Sequence, residues 1–182
     1  ESPLLFENND LVGVMLSSGV ERLIGLYGIS PGRCAVVIGA GPRAAEIAAM
    51  LKHAGTDIAA TVPLEDIAAA TGKGRVQGIR AGGSHISCDL IVVCGHIVPN
   101  AGLLHQAGAR LAWDEAVGAF LPADLPSGVE AVGEVTGQNL APAAAPSPPV
   151  YPDSKRCFVC LCEDVTTRDL RAAVREGFDH IE

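Results

Sequence analysis

Two groups of residues have the types and spacing to do chemistry. One is Gly39, Gly41, Pro42 and Arg43 within Val36-Val37-Ile38-Gly39-Ala40-Gly41-Pro42-Arg43-Ala44, and the other is Cys157, Cys160 and Cys162 toward the far end of the chain. Gly39 can take the backbone angles of a tight turn, and Gly41 has no side chain to hold an anion off the backbone. Pro42 falls at the first helical position, where its missing N–H is not needed and its fixed φ suits the helix. The remaining N–H groups and the positive end of the helix dipole then face the anion, so this turn suits the pyrophosphate of a dinucleotide. The cysteines offer different chemistry. Thiolates are soft ligands for iron–sulfur or zinc, and Cys-x-Cys at 160 and 162 sets two sulfurs on one side of an extended turn.

The elements that must position the glycine turn are legible around it. An apolar strand precedes it, and after it Ala44, Ile47, Ala48 and Leu51 fall on one helical face, with Gly55 as the C-terminal cap. A second strand runs from Asp57 to Val62, so strand, turn, helix and strand follow in the order a nucleotide fold requires. The same pattern also fits an ordinary parallel α/β unit whose glycine turn is only structural. A ribose 2′-hydroxyl is usually held by an acid at the tip of that second strand. Here the strand ends in Thr61-Val62-Pro63, and Glu65 and Asp66 stand just beyond, at the start of an expected helix running to Ala70. No arginine cluster stands there to receive a 2′-phosphate, which favours NAD over NADP.

Beyond the unit, Gly72-Lys73-Gly74 is expected to end that helix, and Arg75 to Ala81 and the run to Ser87 read as a hairpin broken by Gly82-Gly83. Cys88 to Gly95 is a buried strand whose carboxyl end returns beside the glycine turn. Pro99-Asn100 opens a short helix carrying Leu103 and Leu104. Leu111 to Trp113, Ala119 to Leu121 and Val129 to Val132 are expected strands, separated by Asp, Gly and Pro turns. Five prolines among alanines between Ala141 and Pro152 form a semi-stiff tether, after which a new module begins.

Composition excludes several classes. A formal charge of −8 and a pI near 5.0 argue against nucleic acid, whose phosphates such a surface repels, and aromatics at 4% supply no stacking platform. No apolar run approaches the ~20 residues of a membrane span and no signal peptide opens the chain, so it reads as cytoplasmic. The start at Glu1 and the end at Glu182 inside an expected helix suggest a piece of a longer polypeptide. No Ser-His-Asp set, zinc-protease helix or Walker lysine is present.

Of the six cysteines, Cys34, Cys88 and Cys94 lie in or beside apolar strands, where a thiol behaves as a small hydrophobe. The other three lack a secretory context for disulfides, so metal is the first thought for them. Zinc on Cys157, Cys160, Cys162 and His180 competes with iron–sulfur, as do unligated thiols. Downstream, Asp164 or Thr166 could cap a helix from Thr167 to Glu176, with Leu170, Val174 and Phe178 packing inward. His96 reads as a loop residue, His53 as a complement to a helix dipole, and Trp113 as core or interface.

The motifs taken together resemble a family. Asp89 to Asn100, with its Gly-x-x-x-Pro-Asn exit from Gly95, resembles the strand that closes the NAD domain of two-dinucleotide flavoproteins. Gly128-Val129-Glu130-Ala131-Val132-Gly133-Glu134 looks like their second FAD signature. The opening Glu1 to Phe6 and Asn9 to Met15, the stretch Leu111 to Phe120, and Val165 to Leu170 with Arg175 to Phe178 are similar to the alpha subunits of heterotetrameric sarcosine oxidases. Phe158-Val159-Cys160-Leu161-Cys162-Glu163-Asp164-Val165 looks like the first half of a bacterioferritin-associated-ferredoxin-like [2Fe–2S] site, kept in related amine dehydrogenases, opine oxidases and hydrogen cyanide synthases.

That resemblance implies an α/β fold with a Rossmann-like NAD(P)-binding domain at 28–98, flanked by parts of an FAD-binding domain at 1–27 and 99–140. A linker at 141–156 and the start of a [2Fe–2S]-type module at 157–182 complete the expected organisation. It implies FAD received by Gly133 and Glu134, NAD or NADP on Gly39, Gly41, Pro42, Arg43 and Gly95, and a cluster on Cys160 and Cys162. It further implies an amine or amino-acid oxidoreductase that works with other subunits on a small amine, in which this chain supplies nucleotide sites and electron relay. The alternative is a non-catalytic nucleotide-binding or assembly scaffold with structural zinc or free thiols.

Overall fold

The strands that frame the glycine turn are apolar on both faces, and the fold buries both. The computed structural model describes residues 1, 4–138, 140, 157–160 and 163–178. They form two compact units: residues 3–95 with 149–182, and residues 96–148 with the first two residues.

In the larger unit a short strand β1 (Val14–Leu16) leads into helix α1 (Ser17–Tyr27), and strand β2 (Cys34–Ile38) leads into helix α2 (Gly41–His53) and strand β3 (Asp57–Val62). After a 3-10 turn at Leu64–Asp66 come β4 (Ile67–Thr71), β5 (Gly78–Ala81), β6 (Ser84–Ser87) and β7 (Leu90–Val93). Strands β1, β7, β2 and β3 lie in that order as one parallel sheet, with Val36 opposite Ile91 and Ile38 opposite both Val93 and Val62. Side chains alternate across a strand, so each strand feeds two cores. Ala35, Val37, Leu90 and Val92 pack under Val20 of α1 and Ala44, Ile47 and Leu51 of α2. Val36, Ile38, Ile91 and Val93 face the other way, against Ala70 and Ile79 of the β4-β5-β6 antiparallel sheet, Val76 of the β4–β5 connection, and Phe6 and Leu11 of the N-terminal arm. A strand covered on both sides must be continuously apolar, which is why β2 and β7 read as unbroken hydrophobic runs. The α/β fold with a parallel, Rossmann-like sheet is thus present.

Helix α1 ends as its sequence demands. Gly28 takes φ +63, its N–H donates to Ile24 O at 3.0 Å, and Ile29 N–H reaches back to Leu23 O at 3.0 Å. Residues 4–27 belong to this unit, because β1 pairs with β7 and Phe6 and Leu11 fill its core.

One expected helix is a strand. Residues 67–71 are β4, paired antiparallel with β5 through Ala70↔Ile79 and Thr71↔Gly78. Its three alanines favour helix in isolation, but burial of Ala69 and Ala70 against the sheet outweighs a preference worth only tenths of a kcal/mol per residue.

The C-terminal part of the same unit comprises β10 (Phe158–Cys160), β11 (Val165–Thr166), antiparallel to one another, and helix α4 (Thr167–Arg175). Thr166 caps α4 and Asp169 completes a capping box. The expected inward stripe on this helix does not form among the described residues: Leu170, Val174 and Phe178 are 46%, 60% and 69% exposed. The helix docks by its first turn, where Thr167 is buried. Leu170 with Leu5, Val159, Thr167 and Arg171 lines a shallow groove of about 230 Å³. The tether at 141–156 lies outside the described residues.

In the smaller unit a short helix α3 (Gly102–Gln106) precedes a hairpin of β8 (Arg110–Asp114) and β9 (Ala119–Asp124). Asp114 Oδ1 accepts the Ala116 and Val117 N–H groups at 2.9 and 3.0 Å, and Gly118 N–H closes the turn onto Asp114 O. Trp113 and Phe120 meet edge to face at 5.3 Å, both about half exposed. Residues 129–132, expected as a strand, are irregular and lead into a 3-10 turn at Gly133–Thr136. Among the described residues no neighbouring strand pairs with them, and Val132 points to solvent.

Candidate functional site

The turn after β2 sits at the carboxyl edge of the parallel sheet, where β7 returns alongside β2. Gly39 and Gly41 have φ of +137 and +78, angles that side chains rarely adopt. The two glycines do different work. Gly39 is buried beneath the turn: its N–H donates to Val62 O at 2.8 Å, and a Cβ there would stand 3.0 Å from Cys94 Cβ and 3.2 Å from Cys94 O. Gly41 is exposed, and a Cβ there would meet nothing within 4 Å. Gly39 therefore permits close strand packing, while Gly41 leaves open space in front of the helix start.

Helix α2 begins at Gly41 with Pro42 in its first turn, and the preceding Ala40 offers no side-chain cap. The first N–H groups of a helix lack intrahelical acceptors, so they and the dipole present a positive end to this space. Ala44, behind the turn, is buried and small enough for the helix to lie against the sheet. These features fit a pyrophosphate.

Arg43 does not face that space. Its Nη1 and Nη2 donate to Glu21 Oε1 and Oε2 at 2.6 and 2.8 Å, and its Nε and Nη2 donate to the buried Ser17 Oγ at 3.1 and 3.0 Å. Ser17 and Glu21 lie one turn apart on α1, so the two helix starts are joined. Sequence reading missed Ser17 and Glu21 as parts of the site, since nothing local marks partners 26 and 22 residues away.

At the tip of β3 stand Thr61, Val62 and Pro63. Glu65 and Asp66 are exposed on the 3-10 turn beyond, where Asp66 O accepts the Gly82 N–H of the hairpin at 2.9 Å. Gly95 follows Cys94, whose N–H donates to Ile38 O at 2.8 Å, and so leaves the sheet beside the glycine turn. In the smaller unit Gly133 and Glu134 begin the 3-10 turn, with Thr136 Oγ1 donating to Gly133 O at 2.7 Å. His96 Nε2 lies 3.1 Å from Val117 O, as a loop histidine does.

The cysteines divide by burial. Cys88 is almost fully buried and its thiol is pushed up to about 11, chiefly by burial and also by the nearby Cys34 and Asp89. Cys157 is fully buried and its thiol is likewise raised by burial, against a smaller opposing effect of the Thr167 hydrogen bond. Cys160 is half-buried on β10, while Cys162 and His180 lie outside the described residues. Among the described residues no group of three or more His, Cys, Asp or Glu side chains could hold a metal ion. No helix among them is long and apolar enough to cross a membrane.

Residues 154–182 match the sarcosine oxidase A3 domain. The whole chain is similar to sarcosine oxidase subunit alpha of Rhizobium meliloti (strain 1021), 26% identical over 239 residues and covering 24% of that protein. Three quarters of it (75%) is similar to the corresponding subunit of Corynebacterium sp. (strain U-96), at 24% identity and 18% of that protein. The chain thus spans about a quarter or less of these relatives. Among solved structures, L-proline dehydrogenase from P. horikoshii shares the fold with a TM-score of 0.65 at 21% identity, over 75% of this chain and 28% of that one.

Proposed function

We propose that this chain, a sarcosine oxidase alpha-subunit-like polypeptide, supplies the nucleotide-binding and electron-relay part of a flavin-dependent oxidoreductase acting on a CH–NH bond of an amine or amino acid. The observation that carries the reading is the turn at Gly39–Pro42: a strand of a parallel sheet ends there, the helix start is uncapped by a side chain, and Gly41 faces open space. A pyrophosphate of NAD or NADP is held there by backbone N–H groups of the first turn of α2, with Gly95 bordering the site. Since β3 ends without a carboxylate or an arginine, discrimination between NAD and NADP is weak.

Gly133 and Glu134 would hold the ribityl end of an FAD, which would supply two-electron relay between the amine-oxidising subunit and an acceptor. The oxidised amine sits on another subunit of a hetero-oligomer. Cys160 and Cys162 are the residues that a [2Fe–2S] cluster would take from this chain. The relatives' names as oxidase subunits support the oxidoreductase and multi-subunit readings.

A second reading is a nucleotide-binding or assembly scaffold without catalysis, with zinc or free thiols at the C-terminal cysteines. The missing ribose carboxylate favours it. NAD(H) titration and flavin quantitation on the full-length protein with its partner subunits decide between them. Nucleotide binding with stoichiometric flavin supports the first reading, and absence of flavin and turnover, with or without nucleotide binding, the second.

A further inference from the structure

Arg43 stands two residues beyond Gly41 in the first turn of α2, where an arginine could reach a phosphate. Instead its guanidinium is engaged on α1: a two-pronged pair with the Glu21 carboxylate at 2.6 and 2.8 Å, and two bonds to Ser17 Oγ at 3.1 and 3.0 Å. Ser17 is fully buried and opens α1, directly after β1, just as Gly41 opens α2 after β2. Both helices leave the same carboxyl edge of the sheet, so these four contacts join two helix starts side by side. A guanidinium forked onto a carboxylate has a fixed geometry that a single ammonium cannot copy. A phosphate would have to displace both Glu21 and Ser17 to claim it.

Resting on the nucleotide reading above, we infer that Arg43 is a positioning residue and that Glu21 and Ser17 of α1 are its partners: together they hold the first turn of α2 still so that backbone N–H groups alone receive the pyrophosphate. The nucleotide site therefore includes α1, and Arg43 is not a phosphate ligand.

A double-mutant cycle on the full-length protein tests this, using Glu21→Gln, Arg43→Met and the double variant. Amide exchange in residues 43–46 is read against Ile91 in β7, and NADH affinity is measured in parallel. Each single change raises exchange in the first turn of α2 by roughly fivefold with β7 unchanged, and the double change adds nothing beyond Arg43→Met, because that change already removes the shared Glu21 pair together with the Ser17 bonds. NADH affinity falls by a similar factor in all three variants, and Arg43→Lys restores it only in part. The inference is overturned if Arg43→Met weakens NADH far more than it raises exchange in the first turn of α2, or if Glu21→Gln tightens NADH, since either makes the guanidinium a phosphate ligand. Exchange that is unchanged, additive or raised equally in β7 also overturns it. Absence of NADH binding by the unaltered protein defeats the nucleotide reading instead, and the exchange cycle then still decides whether the clamp positions the helix.

Discussion

The Asn9 carboxamide clasps the backbone of Phe158 from 149 residues away: Phe158 N–H donates to Asn9 Oδ1 at 2.9 Å, and Asn9 Nδ2 donates to Phe158 O at 3.0 Å. A buried side chain thus behaves toward β10 as a neighbouring strand would, and Nδ2 also reaches Leu4 O at 3.3 Å. The clasp ties the C-terminal β10–α4 module to the N-terminal arm that fills the sheet's core.

Replacing Asn9 by Leu removes both of its bonds to the Phe158 N–H and C=O. The expected loss is about 1–3 kcal/mol, the usual cost of stranding buried polar groups. Urea unfolding and amide exchange at Phe158 measure it. Asn9→Asp keeps the acceptor but turns a carboxylate oxygen toward Phe158 O, so it too is destabilising. Equal stability of Asn9→Leu and the parent would show the clasp to be incidental.

The two glycines of the turn should separate cleanly under substitution. At Gly39 an alanine methyl presses on Cys94 and takes a strained φ, for an expected loss of roughly 1–3 kcal/mol in thermal unfolding. At Gly41 there is room, so Gly41→Val folds with a smaller penalty from its φ alone, yet its branched side chain fills the space that the pyrophosphate needs. NADH titration of the folded Gly41→Val protein should show no binding. Retained affinity would remove this turn from the nucleotide site.

Helix α4 carries an acid-sensitive start. Asp169 is held below the usual carboxylate range, first by the Thr166 hydroxyl at 2.7 Å and then by the Thr166 N–H at 3.0 Å. A lowered pKa in the folded state means that the cap stabilises above the unfolded value near 4 and is lost as pH falls through the folded value. Amide exchange of residues 167–170 should therefore rise below about pH 4 while the parallel sheet stays protected. Asp169→Asn should abolish that pH step.

Cys88 gives the opposite sign at alkaline pH. Its thiol is raised from 9.0 to about 11 by burial and by neighbouring Cys34 and Asp89. The folded state binds that proton more tightly, so its contribution is complete below 9 and is lost as pH rises through about 11. Melting temperature should fall more steeply between pH 9 and 11 in the parent than in Cys88→Ala. Parallel slopes would place the alkaline transition elsewhere.

What the sequence by itself determined was everything set by local covalent preference and short periodicity. The glycines at 39 and 41, the proline at 42 and the spacing of Ala44, Ile47 and Leu51 specify a strand–turn–helix unit, because φ freedom and a 3.6-residue repeat are properties of neighbours in the chain. The start of α4, read as capped by Asp164 or Thr166 and in fact by Thr166, and the Gly82-Gly83 hairpin were legible for the same reason. Tertiary structure alone decided whether residues 67–71 form strand or helix, since five short residues have no strong preference until a sheet edge at β5 offers them partners. It also decided that Val129 to Val132 pair with no described strand, and that the apolar stripe of α4 stays exposed. Above all it decided the direction of Arg43. A flexible cationic side chain goes to the best carboxylate and buried hydroxyl within reach, and Glu21 and Ser17 come within reach only when β1 joins the sheet and lays α1 beside α2.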